Sequence, residues 1–565
     1  MNDTGKRTII LLGLGFLFLS LPANTHGEIK SIKAKNGVVV SVSAPASEVG
    51  LAILKRGGNA VDAAVATAFA LAVTYPQAGN IGGGGFMVVH PGANKKPVVV
   101  EYRETAPGAA TRDMFAKGNP SRWGHKVVGV PGTVRGLELA HNKFGKLPWK
   151  DIVSPAVKLA EHGFVLDKFV AKTLNEYLAK SKNFAEFQRV FGKPDGSKWQ
   201  AGDTLIQPDL AETLRLIEKN GAKAFYEGPI ADKLAADMKA NGGLITKKDL
   251  AGYRAKIRQP VHGKFRGYDV YGPPLPSSGG TCLVEMLNIL QQFDLKKHGR
   301  YSPHTLHIMT ETMRRVYYDR ARFLGDSDFV KIPKKLTTMK YAKQWAKDIN
   351  PKKATPSLQL SKDIPIAKGG DSTTHFSVID KDGMAVSNTY TLEHSYGSRV
   401  VVKGAGFLLN NEMGDFNWRP GYTDRVGRIG TEPNTIAPGK RMLSSQTPTI
   451  VAKDGKVFLI TGSPGGRTII NTVLCMILNV IEFDMDIEEA VAAPRSHHSW
   501  FPDKMLLETF ADKENYDKVK KALEGMGHHV ESIVQGDAHS ILVDPKTGLY
   551  HGVADDRRSG KAEGY

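Results

Sequence analysis

Cysteine is almost absent from this chain: Cys282 and Cys475 are the only two among 565 residues, which excludes a disulfide-built scaffold. Both sit in apolar runs, Thr281-Cys282-Leu283-Val284 and Leu474-Cys475-Met476-Ile477, and read as buried unpaired thiols, although export would permit a disulfide. No Cys/His ligand spacing occurs and the 17 histidines form no His-Glu-x-x-His pattern, so no metal and no cofactor is expected. Acidic charge is in deficit, 57 residues against 76 Lys and Arg, for a formal net charge of +19. The excess is dispersed, with pairs such as Lys334-Lys335 and Lys352-Lys353 but no long basic block and no nucleic-acid motif. Nucleic acid is therefore not an expected partner. The basic residues read as a solvated surface that can attract anionic peptides or an anionic envelope.

Long apolar runs are missing too, save one. Lys6-Arg7, the apolar stretch 9–21 and Pro22-Ala23-Asn24-Thr25-His26-Gly27 have the charged start, the core and the small-residue exit of a signal peptide. The stretch is too short to cross a bilayer of about 30 Å comfortably. Residues 1–27 are expected to be removed on export, with a cut after Ala23 or Gly27, leaving a periplasmic or secreted protein. The chain is 41% hydrophobic and 24% charged, values of a folded globular protein.

What is present reads as alternating helix and strand. A helix is expected over 47–55, ending at Gly57-Gly58, and Asn59 can cap a second whose Val61, Ala64, Val65, Ala68 and Leu71 recur at helical spacing. Gly82-Gly83-Gly84-Gly85 precedes a strand over 86–90, and a strand over 98–102 delivers Arg103 at its end. The glycines suit close backbone approach better than a phosphate loop, because no Gly-Lys-Ser/Thr follows. Helical patterns from 158 to 292 read as scaffold, and the Lys-, Pro- and Ser-rich stretch 351–368 as an accessible linker.

That linker leads to Gly370-Asp371-Ser372-Thr373-Thr374-His375. A strand over 373–380, a turn at Lys381-Asp382-Gly383 and a returning strand over 384–392 form a hairpin. A three-residue turn pairs 380 with 384 and sets Thr373 opposite Thr391; a two-residue turn would instead pair Thr374 with Thr391. If the chain is cut before Thr373, that residue gains a free amine beside its own Oγ. Such an amine, with an ordinary pKa of about 7.7–8.0, can act as general base for the hydroxyl.

The chain resembles the γ-glutamyltranspeptidase (glutathione hydrolase) family of N-terminal-nucleophile hydrolases. The likeness runs from about residue 35 to 565. It rests on Gly82-Gly83-Gly84-Gly85-Phe86-Met87, Tyr102-Arg103-Glu104-Thr105-Ala106-Pro107, Pro276-Ser277-Ser278-Gly279-Gly280, Thr373-Thr374-His375, Asn410-Asn411-Glu412-Met413-Gly414-Asp415-Phe416, Leu443-Ser444-Ser445 and Gly462-Ser463-Pro464-Gly465-Gly466. It implies an α/β (α+β) fold, an αββα four-layer sandwich. It also implies self-cleavage between Ser372 and Thr373, giving a large subunit 28–372 and a small catalytic subunit 373–565 that stay together as a heterodimer.

The implied donors are glutathione and related γ-glutamyl compounds, and the implied acceptors are water, amino acids or dipeptides. A γ-glutamyl group carries an α-carboxylate and an α-ammonium together, so its pocket needs opposite charges a few ångströms apart. Arg103, Ser444 and Ser445 can hold the carboxylate; Asp415 and Glu412, with Glu393, can hold the ammonium. Thr391 would orient Thr373, and the backbone of Gly465 and Gly466 would stabilise the oxyanion.

Several positions depart from the family pattern. Glu393 stands where Asn is common, Gly414 where an acidic residue is common, and Asp555-Asp556-Arg557 where Asp-Pro-Arg is usual. Residues 418–432 match a lid loop, with Trp418 and Tyr422 both candidates for its gating aromatic. The alternatives are a cephalosporin or glutaryl acylase of the same superfamily, a γ-glutamyl-binding relative that does not process itself, and a basic envelope-binding protein.

Overall fold

The computed structural model describes residues 30–118, 120–360, 364, 367–368 and 374–565. The leader 1–27 and the Ser372-Thr373 junction lie outside the described residues.

Two seven-stranded sheets form the centre. The first runs Lys30–Ala34, Tyr550–Ala554, Ser540–Val543, Lys456–Thr461, Thr449–Lys453, Tyr268–Gly272 and Val261–Phe265. The second runs Lys561–Gly564, Gly37–Ser41, Thr374–Asp380, Ala385–Thr391, Gly84–His90, Val98–Glu101 and Lys256–Arg258. Neighbouring strands are antiparallel in both. Each sheet mixes strands from before and after the 372–373 junction.

Alternation along the strands defines the layers. Val38, Val40, Phe86, Val88 and Ile379 meet Ile450, Val457, Ile460 and Ile541 of the other sheet. Their sequence neighbours Val39, Met87, Val89 and Val378 turn outward against the helices Ala44–Lys55, Ala60–Thr74, Trp149–His162 and Pro208–Asn220. The first sheet turns Val270, Val451 and Leu459 toward Gly279–Leu290, Pro303–Phe323 and Thr468–Ile477. The order is helix, sheet, sheet, helix, as expected. Strands covered on both faces read as continuous apolar runs, which is why 37–41 and 86–90 show no polar alternation.

Local signals act as the sequence indicates. Asn59 accepts hydrogen bonds from the amides of Val61 and Asp62, and Asp62 accepts one from the Asn59 amide, a reciprocal capping box. Ala44–Lys55 begins earlier than the expected 47, with Pro45 in its first turn, where the missing N–H costs nothing. The glycine run is a close-approach device: a Cβ on Gly83 would lie 2.0 Å from the Thr391 carbonyl oxygen, and one on Gly85 2.4 Å from that of Thr389. Cys282 and Cys475 are buried and unpaired.

The linker expectation is corrected in part. Ser357 is fully buried, its amide donating to Asp503 at 2.8 Å and its hydroxyl to the Trp500 carbonyl at 2.7 Å, while Arg314 donates to that hydroxyl. Lys, Pro and Ser composition does not report such tertiary anchoring.

Candidate active site

The hairpin takes the three-residue register. Pairs run from Thr374 with Tyr390 to Ile379 with Ala385, and Gly383 closes the turn at φ 74°, a conformation suited to glycine. The expected pairing of Thr391 with Thr373 lies outside the described residues. Asn80 donates to the Thr391 carbonyl at 3.0 Å, and the Thr391 hydroxyl accepts from the Glu393 amide at 2.8 Å.

His375, the ionisable neighbour in the Thr-Thr-His motif, is not a base for this site. It lies between the sheets, Nδ1 2.8 Å from Thr389 Oγ1 and Nε2 3.1 Å from Ser377 Oγ. Burial holds its pKa well below the ordinary value, with His539 adding to the effect, so the ring is neutral. A Cβ on Gly462 would stand 2.3 Å from that ring.

The charges expected to hold a zwitterion hold one another. Arg103 is completely buried; its Nη2 donates to Asp415 Oδ2 at 2.5 Å and its Nη1 lies 2.7 Å from Glu412 Oε2 and 3.4 Å from Glu104 Oε2. Burial would disfavour the guanidinium, but Glu412, Glu104 and Asp415 together hold its pKa above the ordinary value. Burial raises the Glu412 carboxyl well above the usual range despite Arg103, and pushes Glu104 up to about 7. Glu393 adds a fourth carboxylate, 3.5 Å from Arg122 Nη1. Its backbone is in the left-handed region, φ 74°, which Asn tolerates better than Glu.

Ser444 and Ser445 border the same space. The Ser444 amide donates to Pro276 O at 2.8 Å, and the Ser278 amide and hydroxyl donate to Ser444 O at 2.8 and 2.6 Å, which gives the Pro276-Ser277-Ser278 motif its role. Arg320 donates to Ser278 Oγ at 2.9 Å and to Ser445 Oγ at 3.0 Å. Asn434 ties the two binding motifs together, donating to Asp415 O at 2.7 Å and accepting from the Leu443 amide at 2.9 Å. Asn410 clamps Gly82 and Gly129 and accepts from the Glu412 amide at 3.0 Å. Sequence reasoning missed Arg122, Arg320 and Asn434; only the Asn410 motif carried a signal.

Gly465 and Gly466 form the turn into Thr468–Ile477, at φ 133° and 57°. Among the described residues neither amide finds an acceptor. Gly466 lines a cavity of about 290 Å³ together with Arg103, Thr391, Glu393, Glu412, Asp415, Ser444 and Ser445. All six expected substrate-binding residues thus line one cavity; Gly465 is not in its lining, and Thr373 lies outside the described residues. Both lid aromatics line it as well, but differently: Trp418 is pinned, with Nε1 donating to Met413 O at 2.6 Å and its ring against Phe115 and Arg122. Tyr422 is about half exposed at the mouth. Asp555 and Arg557 serve elsewhere, in a buried network with Arg495 and Glu508.

Two stacked antiparallel sheets between helical layers, with the hairpin strand Thr374–Asp380 starting beside this cavity, are the architecture of the N-terminal-nucleophile hydrolases. The structure of a cephalosporin acylase from Bacillus halodurans is similar, with a TM-score of 0.84 at 25% identity over 98% of this chain and 99% of that one. The model of the Gamma-glutamyltranspeptidase family matches residues 46–565, and the chain belongs to that family. It is 46% identical to the Glutathione hydrolase proenzyme of Escherichia coli (strain K12) over 535 residues, covering 93% of this chain and 91% of that protein. A Helicobacter pylori gamma-glutamyltranspeptidase structure matches with a TM-score of 0.55 at 43% identity, covering 57% of this chain and 95% of the other. Among the described residues no helix is long and apolar enough to cross a membrane.

Proposed function

We propose that this protein is a γ-glutamyltransferase and glutathione hydrolase that makes its own nucleophile. Thr373 Oγ attacks the Ser372 carbonyl, the amide C–N bond breaks with the hydroxyl proton passing to nitrogen, and water hydrolyses the ester. Residues 28–372 and 373–565 result, after loss of 1–27 on export to the periplasm or the medium. Strands of both pieces interleave in both sheets, which favours a persistent heterodimer.

In turnover, Arg103, Ser444 and Ser445 take the donor's α-carboxylate and Asp415, Glu412 and Glu393 its α-ammonium. The Thr373 amine removes the Oγ proton, Thr391 orients that oxygen, and attack on the γ-carbonyl gives a tetrahedral oxyanion facing the Gly465 and Gly466 amides. The leaving amine, cysteinyl-glycine in the case of glutathione, takes the proton. Water or an acceptor amine then resolves the γ-glutamyl ester.

The observation that carries this reading is Arg103 held between Asp415 and Glu412 in the cavity that Thr391 lines. A carboxylate-only acyl group, as in a glutaryl acylase, has no ammonium to place beside those acids, and the far higher identity to glutathione hydrolases points the same way. The test is release of aniline from a γ-glutamyl anilide with and without an acceptor dipeptide. Turnover that an acceptor accelerates is expected; turnover of a glutaryl anilide alone would contradict it.

A further inference from the structure

The cavity that receives the γ-glutamyl group is unevenly charged. Its lining acids, Glu393, Glu412 and Asp415, each lie within ion-pair distance of Arg103 or Arg122, so their charge is largely paired. The same lining includes Arg419 and Arg428 from residues 418–432, and Arg467 beside Gly466. Arg419 donates to the Gly118 carbonyl at 3.0 Å and lies 5.9 Å from the Tyr422 ring centre. Arg428 is half-exposed, 4.0 Å from Asp424. Arg467 Nη1 lies 2.8 Å from where a Cβ on Gly427 would be, so its guanidinium abuts the lid strand beside Arg428.

We infer that these three arginines form a subsite for a second, distal carboxylate, so that the protein prefers γ-glutamyl donors whose leaving group is anionic. The inference rests on the γ-glutamyl reading, because it concerns what lies beyond the scissile amide. That amide joins a glutamyl head, fixed at the floor, to a leaving amine that must extend toward the mouth. A carboxylate there meets guanidinium groups, which pair with carboxylates through planar forks. A low-dielectric wall also focuses their field on an incoming anion. A neutral leaving group gains neither.

The experiment compares kcat/KM for γ-glutamyl para-nitroanilide and for its ring-carboxylated analogue, on the purified full chain, at low and high sodium chloride. The anionic anilide is expected to be preferred at low salt, with the preference shrinking as salt screens the mouth. In Arg419→Gln/Arg428→Gln the anionic-to-neutral ratio should fall about fivefold, the scale of two exposed charge contacts. Arg419→Lys/Arg428→Lys should recover most of it, which a purely structural role would not do. Turnover of both anilides with a ratio at or below one in the wild type would overturn the subsite and leave γ-glutamyl transfer standing. Turnover of neither would overturn both.

Discussion

Gly414 and Glu393 constrain each other: a Cβ at position 414 would stand 2.4 Å from both carboxylate oxygens of Glu393. The contact couples the two positions. Real Cβ atoms do not approach oxygen so closely, and an acidic side chain at 414 would add like charge beside a buried carboxylate. A side chain at 414 would therefore have to displace the Glu393 carboxylate from its present position.

Gly414→Asp alone should raise KM for a γ-glutamyl anilide by about tenfold or more, as expected for coupled contacting residues. Glu393→Asn/Gly414→Asp should return most of that loss, since asparagine is shorter and uncharged. Additive effects in the double variant would break the proposed coupling.

Asp415→Ala removes an acid paired with buried Arg103 and, on this account, the main anchor of the donor ammonium. Self-cleavage should proceed while KM rises by about 30-fold or more, the order seen on removing one member of a desolvated charge pair. A processed Asp415→Ala protein with normal turnover would contradict the pocket assignment.

Glu104 makes stability fall with pH. Burial raises its folded-state pKa from 4.5 to about 7, so the unfolded chain loses this proton first. Its contribution is complete below the unfolded value and declines by ~1.4 kcal/mol per pH unit as pH rises toward about 7. Urea midpoints at pH 5 and pH 8 should show a smaller drop in Glu104→Gln than in the wild type. Equal drops would place the proton elsewhere.

Arg320 acts through Ser278 and Ser445 rather than by proton transfer. Arg320→Gln should raise donor KM about tenfold with less change in kcat, the size expected from lost charge-assisted hydrogen bonds. Arg320→Lys should recover part of it. A loss confined to kcat would assign Arg320 a different role.

The parts of this site that are legible in the sequence are those written locally. Gly383 fixes the hairpin register, and through it the placement of Thr391; the Asn59 cap and the glycine run are equally local. Arg320 is not legible, because it lies near the end of Pro303–Phe323 and meets the serines only when two distant segments pack. Asn434 sits in a short turn whose importance comes from bridging Asp415 to Leu443. The mutual pairing of Arg103 with Asp415 and Glu412 likewise arises from three-dimensional proximity. Charge complementarity to a zwitterion names the residues but not their contacts with one another.

The central claim is that the chain cuts itself to expose Thr373. Intact mass and N-terminal sequencing of the purified wild type and of Thr373→Ala test it most directly. The account predicts two wild-type fragments, the smaller beginning at Thr373, and one uncut inactive chain in the variant. A single uncut wild-type chain after long incubation, or a Thr373→Ala protein that still yields the 373–565 fragment, would contradict it.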